Sequence, residues 1–246
     1  MISKSEVKYI QTLSQKKTRD REVVFIAEGV KVVEEFLANN RPYRKIYATG
    51  EWIEENPGKD AVEVEEFELK KISQFTTPQK VLMIAEKKPQ ISSLDFANKI
   101  TLALDGIQDP GNLGTIIRIC DWMGVSQIIT SEDTADQYNP KVVQASMGSI
   151  MRINMMYTDL NVALKNAEVK IFGTALSGKN IFQIEDLKEG IVVIGNESKG
   201  IREPLLSLLN ETITIPRKGD AESLNAAVAT GIILSQLTLN RSGSKT

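Results

Sequence analysis

No histidine occurs among the 246 residues. Imidazole is the commonest general base and metal ligand, so Ser-His-Asp hydrolysis and most transition-metal chemistry are excluded. Cys120 is the only cysteine. An intrachain disulfide and a cysteine zinc cage are therefore ruled out, and the thiol is expected in the core. No stretch approaches the roughly 18 apolar residues of a membrane span. Met1-Ile2-Ser3-Lys4-Ser5-Glu6 lacks the apolar segment of a signal peptide. The expectation is a cytoplasmic chain with neither metal nor membrane partner. Positive charge is not in surplus either: 30 Lys and Arg stand against 32 Asp and Glu, a net charge of -2. A phosphate-bearing partner would need a basic surface that is local.

What is present is the composition of a well-cored protein, 41% hydrophobic and 25% charged, long enough for one large domain or two smaller ones. Up to about residue 95, helix-spaced and strand-like segments alternate. Val7, Ile10 and Leu13 mark an amphipathic helix, Val23-Val24-Phe25-Ile26 a strand, and Val30, Val32, Val33 and Phe36 a second helix. Lys45 to Ala48 and Val81 to Ala85 are short buried strands by the same criteria. Lys87-Lys88-Pro89-Gln90-Ile91-Ser92-Ser93 is the best linker candidate, so residues 1–95 are expected to form a small α/β domain with its linker. In residues 96–246, strands near 100–104, 127–130, 153–157, 170–174, 191–194 and 212–215 alternate with helices, the pattern of a parallel sheet. A final helix from Leu224 to Leu239 is apolar over much of its circumference, which predicts burial, in part against a partner subunit.

Three segments carry polar side chains beside glycine or a helix start. The loop Asp105 to Asn112 follows a strand and opens a helix, with Arg118 two turns inside it. That is where open α/β sheets bind ligands, although a structural turn with a surface arginine accounts for this segment equally well. Gly195-Asn196-Glu197-Ser198-Lys199-Gly200 ends a second strand, and Glu197 either holds the loop or acts chemically. Ile215-Pro216 leads through a polar loop to Ser223-Leu224-Asn225. Ser223 is placed as a helix N-cap, and Asn225 at an otherwise apolar helix start requires partners.

Asn112-x-Gly114-x-x-x-Arg118, Gly195-x-Glu197-x-x-Gly200 and Ile215-Pro216 to Ser223-x-Asn225 are, in order, the motifs of the SpoU/TrmH RNA ribose 2'-O-methyltransferases, which residues 100–240 resemble. The first 90 or so residues are similar, through Phe25-Ile26-Ala27-Glu28-Gly29, to the L30e-like substrate-binding domain that precedes the catalytic domain in many members. The resemblance implies a carboxy-terminal α/β domain tied in a deep trefoil knot, an S-adenosylmethionine site, and a homodimer through that domain. It places the cofactor against the backbone of Gly195, Ile215 and Leu224, with Thr174-Ala175-Leu176 near its adenine. Asn112, Arg118, Glu197, Ser223 and Asn225 then surround the methyl acceptor.

The reaction the resemblance implies is methylation of a ribose 2'-hydroxyl in structured RNA, with ribosomal RNA favoured, by analogy with the family, through the separate first domain. A transfer-RNA enzyme and a non-catalytic RNA-binding or assembly protein are the alternatives. A nucleotide-dependent oxidoreductase fits less well, because the loop after Leu104 lacks Gly-x-Gly-x-x-Gly spacing. A guanidinium seldom yields its proton, so Arg118 is expected to bind the neighbouring phosphate and polarise the hydroxyl, with deprotonated arginine as the other possibility. Basic clusters for RNA are expected at Lys16, Lys17, Arg19 and Arg21 and at Arg41, Arg44 and Lys45. Lys199, Arg217 and Lys218 stand beside the motifs.

Overall fold

A computed structural model describes residues 2–93, 95–184 and 187–239. The chain runs α1 (Lys4–Thr12), α2 (Lys16–Glu22), β1 (Val24–Glu28), α3 (Val30–Ala38), β2 (Tyr43–Ala48), α4 (Gly50–Glu55), β3 (Val62–Glu63), α5 (Glu66–Ile72) and β4 (Val81–Glu86). It continues through β5 (Ile100–Asp105), α6 (Pro110–Trp122), β6 (Gln127–Thr130), α7 (Pro140–Ser146), β7 (Asn154–Tyr157) and α8 (Leu160–Lys165). The last elements are β8 (Ile171–Asn180), β9 (Gly190–Gly195), α9 (Glu203–Leu206), β10 (Glu211–Thr214) and α10 (Ala226–Leu239). None of the described helices is long and apolar enough to cross a membrane.

Contacts divide the chain into two compact units. The first contains residues up to Pro89 together with Asp136–Met151; the second contains Gln90–Ala135 and the chain from Arg152 onward. In the first unit the sheet order is β1-β4-β2-β3, with β4 antiparallel to both neighbours, pairing Ile26 with Ile84 and Tyr47 with Leu82. Every residue of β1 is buried, which explains why Val24-Phe25-Ile26-Ala27 shows no apolar-polar alternation. Its core gathers Ile10, Leu13, Val24, Ile26, Leu69, Leu82 and Ile84. The inserted α7 lies on β1, and the Tyr138 ring packs on Phe25 at a centroid distance of 4.7 Å. Asp136 receives a 2.5 Å hydrogen bond from Arg19, which is 2% exposed.

The second unit is built on six parallel strands in the order β10-β8-β9-β5-β6-β7. β5 and β9 lie at its centre with apolar residues buried on both faces, as parallel strands covered by helices require. Ala103, Ile129, Ile171, Ile191 and Val193 form one side of this core with Leu160 and Leu164 of α8. Cys120 is wholly buried, and burial pushes its thiol far above the ordinary range, leaving it inert packing. α6 starts cleanly because the Asp109 side chain accepts a 2.7 Å bond from the Asn112 N–H and Pro110 occupies the first turn. α10 begins at Ala226, two residues later than the sequence pattern suggests.

Candidate active site

Four strands of the second unit that are adjacent in the sheet, β10, β8, β9 and β5, carry residues of interest at or just past one edge. Ile215 follows β10, Thr174 to Leu176 lie in β8 beyond its pairing with β9, and Gly195 closes β9 directly opposite Asp105, the last residue of β5. This is the carboxyl edge of a parallel sheet, where strand ends leave room for a ligand. Gly195 admits no side chain: an added Cβ would stand 2.2 Å from the carbonyl carbon of Gly200, because the loop turns back on itself there. Around this edge Leu176 is 79% and Leu224 47% exposed, two apolar side chains left largely uncovered among the described residues. Thr174 donates a 3.0 Å bond to the Val193 carbonyl, which fixes β8 beside β9.

One polar chain joins all three sequence segments. The Asn225 amide donates to Asn112 Oδ1 at 2.8 Å, and the Asn112 amide donates to Glu197 Oε1 at 2.6 Å. An amide can do this because it carries donor and acceptor together; a carboxylate at 112 could not donate to Glu197 while ionised. Asn225 is also the cap of α10, its Oδ1 accepting from the N–H groups of Ala227 at 3.0 Å and Val228 at 3.2 Å. That corrects the expectation for Ser223, which lies two residues outside this cap and is exposed with no regular structure. Both functions of Asn225 use different atoms, so capping the helix and reaching Asn112 do not compete.

A second set of contacts, not foreseen from the sequence, holds the Glu197 loop. Asn196 Oδ1 accepts from the N–H groups of Ser198 and Lys199, and its amide donates to the Gly106 carbonyl at 2.7 Å. The Gly106 N–H donates in turn to Ser131 Oγ. Arg202, just beyond the loop, gives its backbone N–H to Asp105 Oδ2 at 2.8 Å and its Nε–H to Oδ1 at 2.5 Å, and its outer nitrogens reach Asp133. The Asp105 side chain is fully buried; a charged group there requires such a partner. Hydrogen bonding from Ser131, helped by Arg202, holds the Asp133 carboxyl below its usual range, and the bond to Asp105 raises Arg202. Two sequence signals pointed this way: an Asn beside Gly, suited to an Asx turn, and an aspartate ending an otherwise apolar strand.

Arg118 stands apart from the polar chain. It is exposed, and among the described residues it has no hydrogen-bond or ion-pair partner. Helical spacing puts it on the exposed stripe Gly111, Thr115, Arg118 and Trp122, and Trp122 is 85% exposed.

The basic residues divide by environment. Arg19 is not a surface residue: its guanidinium donates to the carbonyls of Leu13 and Ser14 and pairs with Asp136, so the expectation that it meets RNA is corrected. Lys16 pairs with Asp20, Arg21 and Arg44 with Glu22, and Lys45 with Glu6, while Lys17 is exposed. Arg41 is half-buried and donates to the Met151 carbonyl. In the second unit Lys199, Arg217 and Lys218 are exposed, with Arg217 donating to the Ala221 carbonyl.

Comparison with known proteins identifies the family of the chain. A model described as the SpoU rRNA Methylase family matches residues 99–235, and one described as an MRM3-like substrate binding domain matches residues 4–83. The 23S rRNA (guanosine(2553)-2'-O)-methyltransferase RlmP of Bacillus subtilis strain 168 is 31% identical over 239 residues, covering 94% of this chain and 95% of its own. A TrmH-family protein from Porphyromonas gingivalis superposes with a TM-score of 0.84 at 33% identity, covering 96% of this chain and 98% of that one. The AdoMet-bound rRNA methyltransferase from Sinorhizobium meliloti gives a TM-score of 0.84 at 30% identity over 100% of this chain and 98% of that one.

Proposed function

Because the chain belongs to the SpoU rRNA methylase family, we propose that it transfers a methyl group from S-adenosylmethionine to a ribose 2'-hydroxyl of structured RNA, with ribosomal RNA as the substrate class. The observation that carries the reading is the Asn225–Asn112–Glu197 chain, which links three distant segments at one sheet edge. The donor set also suits the cofactor. Gly195 and Ile215 at the strand ends supply backbone groups, Leu224 supplies backbone and an apolar side chain, and Thr174, Ala175 and exposed Leu176 border a face suited to a purine. When bound, the sulfonium supplies a methyl group already activated for transfer, so no imidazole is required.

The chain's own residues then align the acceptor and handle one proton. Asn112 fixes the Glu197 carboxylate, and Asn225 fixes Asn112. In this proposal Arg118, without a partner among the described residues, binds the phosphate next to the target ribose and polarises its hydroxyl, and Ser223 offers a hydroxyl from the loop before α10. The hydroxyl proton leaves to phosphate or water, since a guanidinium stays charged at neutral pH. Residues 1–95 are proposed as the RNA-selecting domain and 96–246 as the catalytic one, with the deep trefoil knot of the family in its carboxy-terminal part. Lys16, Lys17, Arg21, Arg41, Arg44, Lys45, Lys199, Arg217 and Lys218 are proposed RNA contacts, and the cytoplasm is the proposed location.

We further propose a homodimer through α6 and α10. Trp122 and Val228, 85% and 51% exposed, are large apolar side chains of the kind that interfaces cover, and Arg118 shares the Trp122 stripe. The reading is tested with labelled S-adenosylmethionine and separate pools of ribosomal and transfer RNA. Label in ribosomal RNA supports it; label confined to transfer RNA refutes the substrate class, and absence of cofactor binding refutes the activity.

A further inference from the structure

On α5 of the first unit a carboxylate is turned in and an aromatic ring turned out: Glu68 is 3% and Phe67 57% exposed. The inversion has a local cause. Glu68 Oε2 accepts from the Glu65 N–H at 3.1 Å, closing a capping box at the helix start, and its Oε1 accepts from the Ile2 N–H at 3.0 Å. With Glu68 held inward, Leu69 and Ile72 reach the core and position 67 faces out. That register accounts for which position meets water, not for an aromatic there. Among the described residues of this unit, Val23 and Phe67 are the large apolar side chains left exposed, and of these Phe67 is the ring. Lys71, one turn on, holds its ammonium 4.8 Å from the ring centre.

α1 packs beside this ring. The Gln11 amide donates to the Lys71 carbonyl at 2.8 Å, and helical spacing puts Lys4, Lys8 and Gln11 on one stripe, so both lysines border α5. Seen from α5, the Ile2–Glu68 bond puts α1 on the Glu68 side; going round the helix from there come Lys71, Phe67 and Lys70, with Glu66 last and farthest from α1. Lys4, Lys8 and Lys70 are exposed and have no ion-pair partner among the described residues, whereas Lys16, Arg21, Arg44 and Lys45 of the same unit are neutralised. Glu6, the carboxylate of α1, is already taken by Lys45 and Tyr47. Positive charge without a counter-charge thus surrounds an open ring, the pair of features by which single-stranded nucleic acid is held. Lys4 and Lys8 stand about 6 Å apart along the helix axis, near the spacing of adjacent phosphates in one strand. A duplex keeps its bases stacked on each other, so such a ring meets a base only where the strand is unpaired.

We propose that this α1–α5 face binds an unpaired segment of the RNA substrate, one base stacking on Phe67 and the flanking phosphates meeting Lys4, Lys8, Lys70 and Lys71. The inference rests on RNA being the substrate. Its test uses the full-length protein and protein-free ribosomal RNA, with affinity measured against salt and each variant checked for an intact thermal transition. Phe67→Ala should weaken binding about 5- to 150-fold and leave the salt slope unchanged. Phe67→Trp should bind at least as well as wild type, and the emission of the added indole should be quenched saturably by RNA. Lys4→Gln/Lys8→Gln and Lys70→Gln/Lys71→Gln should each lower the slope of log affinity against log salt by about 1.4, two phosphate contacts apiece.

Unquenched indole emission while RNA still binds overturns the proposal. So does wild-type affinity in Phe67→Ala with wild-type slopes in both lysine pairs, which would leave the face to a protein partner or to water. Lowered slopes with full affinity in Phe67→Ala are equally contrary, since phosphates would then bind with no base on the ring. Failure of wild type to bind RNA at all refutes the substrate reading itself. Should Phe67→Ala fail to fold, the quenching in Phe67→Trp and the lysine pairs decide.

Discussion

Asn112→Ala removes the middle of the polar chain while leaving the sheet and the cofactor-side residues in place. It deletes one hydrogen bond to a carboxylate, worth roughly 1.5–3 kcal/mol, and one between neutral amides, worth about 0.5–1.5 kcal/mol. Asn112 and Glu197 are only partly buried and Asn225 is exposed. Water takes over some of the lost bonding, and the low ends apply, giving about 2 kcal/mol. For a chain of this size that lowers the melting temperature by about 4–8 °C. Turnover should fall at least tenfold, since Glu197 and Asn225 lose the group that sets their separation, whereas S-adenosylmethionine affinity should change by less than about threefold. Calorimetry, cofactor titration and single-turnover methylation measure the three quantities. Asn225→Ala and the double variant complete a cycle: the double variant should cost about 0.5 kcal/mol less than the sum of the singles, because both delete the same Asn225–Asn112 bond. Additive costs together with unchanged turnover would refute the reasoning.

Arg118→Ala should abolish methyl transfer and leave cofactor affinity intact; an equal loss of cofactor binding in a titration would assign the arginine a structural role. Trp122→Glu should turn the proposed dimer into a monomer in analytical ultracentrifugation, and a wild-type sedimentation profile would remove α6 from the interface. Glu28 is 3% exposed, and burial raises its carboxyl above the ordinary glutamate range against the opposing bonds from Ser73 and Gln74. A raised carboxyl stabilises the fold below the unfolded value and loses that contribution as pH rises through the folded one. The stability of wild type relative to Glu28→Gln should therefore decline as pH rises above about 4.5 in urea unfolding; a difference that grows with pH would contradict this.

The central strands of the second unit were legible because β5 and β9 are apolar on both faces, and their flanking loops announced themselves through glycine and Asn. The start of α10 was not. Ser223 and Asn225 are both good capping residues, and only the position of Asn112 across the site decides which one turns inward. Arg19 misled for a related reason. A charged residue in a basic cluster suggests solvent, but Asp136 lies 117 residues away in sequence, beyond any local pattern. Glu6 likewise pairs with Lys45 from 39 residues away, and Glu22 is shared between its neighbour Arg21 and the distant Arg44, which makes the basic patches weaker than their sequence suggests. Nor could periodicity show that Asp136–Met151 packs with the first unit, since α7 has the apolar pattern of any crossover helix. Asp105 and Arg202 were unrecognised because an ion pair across loops is a property of the fold, not of either segment.

The most direct test of the account is chemical mapping of the product. After incubation with labelled S-adenosylmethionine and ribosomal RNA, exhaustive alkaline hydrolysis should release the label in a dinucleotide that resists cleavage, because a methylated 2'-oxygen cannot attack its own phosphate. Label recovered in mononucleotides, as base methylation would give, or no label in RNA at all, would contradict it.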